Sequence, residues 1–118
     1  MSDFDSKILK VDVETLTRRM EEKGYYTLED LGESDSLVVH AGGQNIELSV
    51  VKPGSDEVMV VSGGPWGIVE HLTSDWGTTL HPWGLSVWPH RISVGNRLVL
   101  GVWYTPPVER VTLRRKES

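Results

Sequence analysis

The residues in this sequence best suited to chemistry or recognition are its tryptophans and histidines. Five tryptophans occur in 118 residues: Trp66, Trp76, Trp83, Trp88 and Trp103. Three of them fall within residues 73–90, a stretch rich in Gly, Pro and His. An indole offers a large, stiff apolar face and one N–H donor, which suits it to binding surfaces. Trp76-Gly77 and Trp83-Gly84 read as loop positions, where a ring either folds inward as a lid or faces a partner. The candidate binding surface is therefore Trp76, Trp83 and Trp88, with His81 and Arg91 beside them. Trp103 follows strand alternation and is expected to pack.

Histidine occurs at positions 40, 71, 81 and 90, with no H-x-H and no H-E-x-x-H spacing. There is no cysteine, which excludes disulfides and thiolate metal sites. His71, His81 and His90 could meet around a metal only across neighbouring strands, with Glu70 as a carboxylate ligand. Cupins build sites in that way, but their paired histidines are absent here. After Pro82-Trp83-Gly84, Val87 stands where the histidine of the second cupin motif belongs. No metal and no cofactor is expected. Nucleophile motifs fail similarly. Gly84-Leu85-Ser86-Val87-Trp88 lacks the final glycine of a nucleophile elbow, and no helix follows it. Ser62-Gly63-Gly64-Pro65-Trp66-Gly67 lacks the lysine of a phosphate loop and reads as a bend between strands. The acidic run Glu29-Asp30, Glu33 and Asp35 matches no calcium loop and reads as solvated surface.

Bulk composition narrows the partners. The formal net charge is −5, divided as −7 over residues 1–60 and +2 over residues 61–118. An acidic chain repels phosphate backbones, so nucleic acid is an unlikely partner. Arg110, Arg114, Arg115 and Lys116 are a local exception and read as a solvated last strand and tail. The acidic start Met1-Ser2-Asp3-Phe4-Asp5 is unlike a signal peptide. Apolar runs such as Val58-Met59-Val60-Val61 are far shorter than the roughly 20 residues that span a bilayer. A soluble cytoplasmic protein, without membrane contact, is expected.

The elements that must position these residues are one helix and many short strands. Leu9, Val13, Leu16 and Met20 make an apolar stripe, Asp12 can cap its start, and Lys23-Gly24 gives its stop. These signals predict a helix over 13–23, covering a sheet with that stripe. Near Tyr25 the period changes to two. Ile46, Leu48 and Val50 alternate with polar residues after a short run Leu37–His40, Val58–Val61 reads as a strand buried on both faces, and Ile68–Leu72 alternates. Leu85–Trp88 and Arg91–Val94 are strand-like around Pro89. Gly95-Asn96 suits a tight hairpin turn between Ile92–Val94 and a strand Arg97–Tyr104, with Leu98, Leu100, Val102 and Tyr104 on one face and Pro106-Pro107 at its end. Val111 and Leu113 alternate in a last strand.

The expected fold is mainly β: a small antiparallel β-barrel or sandwich of about eight strands with one short N-terminal α-helix. It forms a single domain over 1–118, with an arm at 1–11, the helix region at 12–24, a β-rich body at 25–114 and a tail at 115–118. The ending Glu109–Arg115 resembles the last strand of the head-closure proteins of tailed phages, which are small β-barrels of similar length. The likeness covers one strand, and no function is carried over from it.

Two functions fit this sequence. The first is a non-catalytic binding or assembly module that meets a protein partner, or a second copy of itself, through the Trp-rich surface. The second is a small barrel with an interior pocket, a carrier of a small apolar or aromatic ligand or a cyclase or isomerase acting mainly by positioning. Its candidate residues are His71, Glu70 and Tyr104. The lack of any catalytic constellation favours the first.

Overall fold

Helix α1 (Val13–Lys23) occupies the span that periodicity predicts. Asp12 caps it, its carboxylate accepting the Thr15 N–H at 2.7 Å. Gly24 closes it at φ 87°, a left-handed conformation that costs glycine little, and donates its N–H to the Met20 and Glu21 carbonyls. Leu16 and Met20 are buried in the core and Val13 packs against it. Leu9, the expected fourth member of the stripe, lies outside the described residues. The computed structural model describes residues 12–28, 31–32, 35–52, 57–63, 70–72, 75–83 and 86–115.

Among the described residues, eight antiparallel strands form one sheet: β1 (Asp35–Ala41), β2 (Gln44–Val50), β3 (Val58–Ser62), β4 (Glu70–Leu72), β5 (Trp76–Thr79), β6 (Val87–Pro89), β7 (Arg97–Leu100) and β8 (Trp103–Arg115). Their order is β4-β3-β2-β1-β8-β7-β5-β6, and among the described residues no pairing joins β4 to β6, so the sheet is open. Alternation works as read in β2, where Ile46, Leu48 and Val50 are buried. It also governs β3, which is not buried on both faces as expected: Val58 and Val60 point inward, while Met59 and Val61 are half-buried.

Strand β8 pairs with β7 through its first residues and with β1 through its last. It needs two register shifts to do so. Opposite His40 and Ala41, the partners are Arg110 and Val108, leaving Glu109 as an extra residue. Between Arg97↔Pro107 and Val99↔Tyr104, Thr105 and Pro106 share the place opposite Leu98. The prolines do not end the strand as expected. They sit where bulging has already interrupted the ladder, which is where a residue without an N–H is tolerated. Thr105, fully buried, repairs the gap: its hydroxyl accepts the Leu98 N–H at 3.0 Å and donates to the Pro106 carbonyl at 2.6 Å.

The expected strand Arg97–Tyr104 is two strands, because Gly101 at φ 67° and Val102 turn the chain between Leu100 and its partner Trp103. Val102 is therefore 97% exposed rather than inward-facing. The hairpin expected at Gly95-Asn96 does not form. The Asn96 N–H reaches the Ser93 carbonyl around Val94 and Gly95, a β-turn with Gly95 at φ 94°, and β7 pairs with β5 and β8 instead. Arg91–Val94 contributes only an isolated bridge, Ile92 to Tyr26. Trp76-Gly77 is strand, not loop, and Trp76 is 1% exposed among the core side chains. Trp103 is half-buried against that core.

Two charges expected in water are drawn out of it, one fully and one in part. Arg115 ends β8 rather than beginning a tail, and directly opposite it Asp35 is 3% exposed. The guanidinium donates through Nε to Oδ1 at 2.6 Å and through Nη2 to Oδ2 at 3.0 Å, and Oδ2 also accepts the Gly32 N–H. This bidentate pair satisfies both ions where burial of either alone would be costly.

A Cβ at Gly77 would lie 2.3 Å from the Trp88 carbonyl oxygen, a backbone atom that cannot yield without moving β6. Gly77→Ala is expected to lower unfolding stability by roughly 1–3 kcal/mol in denaturant titration. Asp12 gives a pH signature. Its hydrogen bonds to Thr15 hold its carboxyl below the usual 3.8, so the cap contributes fully above that pH and fades as pH falls through the lower folded value. Asp12→Asn keeps an acceptor but removes the charge, and should flatten the acid limb of a melting-temperature profile.

Candidate binding surface

Strands β5 and β6 form a hairpin at one end of the sheet. The base of its loop is fixed by local hydrogen bonds. The Leu80 N–H donates to the Ser86 carbonyl at 2.8 Å, and the Thr79 hydroxyl donates to the His81 carbonyl at 2.7 Å. Thr79 also accepts the Arg97 N–H at 3.0 Å, which ties the loop to β7. Beyond this anchor the chain projects. Trp83 is 79% exposed and Leu80 48% exposed. The exposed His81 ring lies parallel to the Trp83 indole, with 5.3 Å between centroids and 13° between planes.

A second aromatic group sits along β6. Trp88 is half-buried, and the Tyr25 ring tilts against it at 5.2 Å. The Arg91 guanidinium lies 4.5 Å from the centroids of both rings. The Tyr26–Ile92 bridge brings this about, because it holds the chain after α1 beside the chain after β6. Tyr25 was not legible as a site residue: its one local signal is its place just after the Gly24 cap, and the contact depends on a bridge between residues far apart in sequence. Trp76 takes no part in either group. It is buried in the core, with the His90 ring 5.5 Å away and the His90 N–H bonded to its carbonyl at 2.9 Å. Thus Trp83, His81, Trp88 and Arg91 lie on the hairpin's surface or rim, and Trp76 is core.

The backbone of β6 offers little for strand addition. The bonds from Leu80 to Ser86 and from His90 to Trp76 direct residues 86, 88 and 90 toward β5. Val87 and Pro89 therefore direct their backbone groups outward, and Pro89 has no N–H. A partner strand would meet one donor along β6, a familiar way of blunting an edge. Contact here must come from side chains.

Of the residues of the alternative catalytic reading, His71 and Tyr104 lie on separate strands. His71, on β4, pairs with Glu57 at 3.1 Å, both side chains nearly half-exposed. Tyr104, on β8, is 39% exposed, with the Arg97 guanidinium 5.7 Å from its ring. Strands β3, β2 and β1 stand between β4 and β8. The Glu70 backbone pairs with Val60, and its side chain lies outside the described residues. Among the described residues, no three His, Asp or Glu side chains converge as metal ligands, and no helix is long and apolar enough to cross a membrane. Comparison with protein families, curated proteins and solved structures finds no match to this chain.

The clasp around Arg91 predicts a specific effect. Removing the cation from two half-buried rings in Arg91→Ala should cost roughly 0.5–2 kcal/mol in stability. It should also shift Trp88 emission to the red as water reaches the indole.

Proposed function

We propose that this chain is a non-catalytic binding or assembly module, built on a small β-barrel or sandwich, that recognises a protein partner through the rings of the β5–β6 hairpin. One observation carries the reading: a well-anchored loop holds Trp83 at 79% exposure, stacked on His81. An indole kept in water is unfavourable, and exposed apolar patches of this kind commonly mark interaction sites. Support comes from the distribution of such side chains. Among the described residues, the exposed large apolar side chains are Leu80, Trp83, Val94, Val102 and Tyr104, all within residues 80–104. The interior-pocket reading gains no comparable support, since fully buried side chains such as Leu37, Leu48, Ile46 and Leu98 pack with Trp76 in one cluster.

Truncating two tryptophans of the same hairpin tests the proposal. Trp83→Ala should change unfolding stability by no more than about 0.5 kcal/mol, as for other surface substitutions. It should abolish retention of the partner captured by the wild-type protein from extracts of its source cells. Trp76→Ala should cost roughly 3–5 kcal/mol, as core aromatic truncations do. A Trp83→Ala loss as large as that of Trp76→Ala would make Trp83 a structural plug and remove the basis of the proposal.

A further inference from the structure

Three arginines are half-buried among the described residues: Arg91, Arg97 and Arg115. Two of them have oxygen acceptors. Arg97 donates through Nε to the Thr105 carbonyl at 3.1 Å, and Arg115 is held by the Asp35 carboxylate. The Arg91 guanidinium has no oxygen acceptor among the described residues. Its contacts are with two rings, Tyr25 and Trp88, each with its centroid 4.5 Å away. Ring faces attract the charge, but they supply none of the oxygen lone pairs that the five N–H donors of a guanidinium fit. A guanidinium drawn partly out of water with its donors unmet favours an oxyanion, which it can take through two parallel hydrogen bonds.

The backbone that carries Arg91 is fixed on both sides. The His90 N–H is bonded to the Trp76 carbonyl, and the Tyr26 and Ile92 backbones exchange two bonds at 2.8 and 2.9 Å. The Arg91 carbonyl accepts the hydroxyl of buried Thr78 at 3.0 Å, and that hydroxyl in turn accepts the Ser93 N–H at 3.1 Å. His90 is the one non-glycine at positive φ among the described residues, at 63°. Such a conformation is unfavourable away from glycine and is retained where neighbouring contacts enforce it, often beside functional groups. Anchored backbone and flanking rings together hold the side chain in place, which lowers the ordering cost of binding through it.

We propose that Arg91, held between Tyr25 and Trp88, is a carboxylate-binding site. One guanidinium matches the single charge of a carboxylate. A phosphate dianion brings twice that charge to a chain whose net charge is already −5. That the carboxylate belongs to a protein, as an acidic side chain or a C-terminus, rests on the reading of the hairpin as a recognition surface. The site itself stands on Arg91 and its two rings and does not involve Trp83.

Nuclear magnetic resonance of the full chain tests the site, with sodium acetate as the probe. The arginine Nε–H and tryptophan Nε1–H resonances are followed against sodium chloride at the same ionic strength, which removes general screening. Acetate should shift the Arg91 Nε–H and the Trp88 Nε1–H along one saturable curve. The Arg97 Nε–H, already bonded to Thr105, should stay in place. Arg91→Lys keeps the charge and loses the fork, so the Trp88 shift should need several-fold more acetate in that folded variant. A purely structural clasp predicts no saturable shift at Arg91, and that result overturns the inference. Sodium phosphate that saturates Arg91 at lower concentration than acetate overturns the choice of carboxylate. A capped tripeptide with one central glutamate should reproduce the acetate shifts. If acetate binds and this peptide does not, the site takes free acids and the protein source falls. If Arg91 ignores acetate while folded Trp83→Ala still loses its partner, this inference falls and the binding-module reading stands. If acetate binds while Trp83→Ala collapses the fold, the site stands and the reading of Trp83 falls.

Discussion

Within the sheet, the two halves of this fold are joined by one strand. Strand β8 runs over 13 residues, and its pairing changes from β7 to β1 along its length. Both sets of partners require it to keep apolar side chains inward, yet it carries two consecutive prolines in its first half. The solution is to spend an extra residue at each of two bulges. Thr105, Val108 and Val111 thereby stay buried at steps of three, before Leu113 resumes the step of two. Thr105 then supplies from its side chain the acceptor that the interrupted ladder lacks. Without that bond, the Leu98 N–H would be a buried donor with a cost of about 1–3 kcal/mol. Strand β7 depends on β8, β5 on β7, and β6 on β5, so the aromatic hairpin hangs from this repair.

The same chain of dependence explains why two tryptophans of one hairpin have opposite roles. Trp76 lies opposite Leu100 and is carried inward with it. Gly77, with no side chain, lets the Trp88 carbonyl approach closely where β6 pairs with β5. The chain must then reverse in the few residues between Thr79 and Val87. Anchored by Thr79 and Leu80, that reversal carries Trp83 outward. Core packing and surface presentation are thus consequences of one pairing register.

Local signals were legible in the sequence and distant ones were not. Helix α1 is fixed by Asp12 at one end and Gly24 at the other, both within reach of their own backbone. Strand β2 alternates without interruption and reads directly. The region 92–107 misled because Leu98, Leu100, Val102 and Tyr104 keep a period of two across a two-residue turn, so alternation conceals the reversal at Gly101-Val102. Asp35 and Arg115 are 80 positions apart, and only the β1–β8 register reveals them as a part-buried ion pair. For the candidate surface, residue type pointed to Trp83, Trp88, His81 and Arg91, which the fold leaves exposed or half-buried. It also suggested Trp76, because glycine and proline nearby made a strand look like a loop.

The account turns on Trp83 being a ring held in water while Trp76 is sealed in the core. Fluorine NMR of the 5-fluorotryptophan-labelled protein, assigned by single Trp→Phe substitutions and compared in H2O and D2O, reads this most directly. The Trp83 resonance should show the largest solvent-isotope shift among the indoles and the Trp76 resonance almost none. A Trp83 resonance as insensitive to solvent as that of Trp76 would contradict the account.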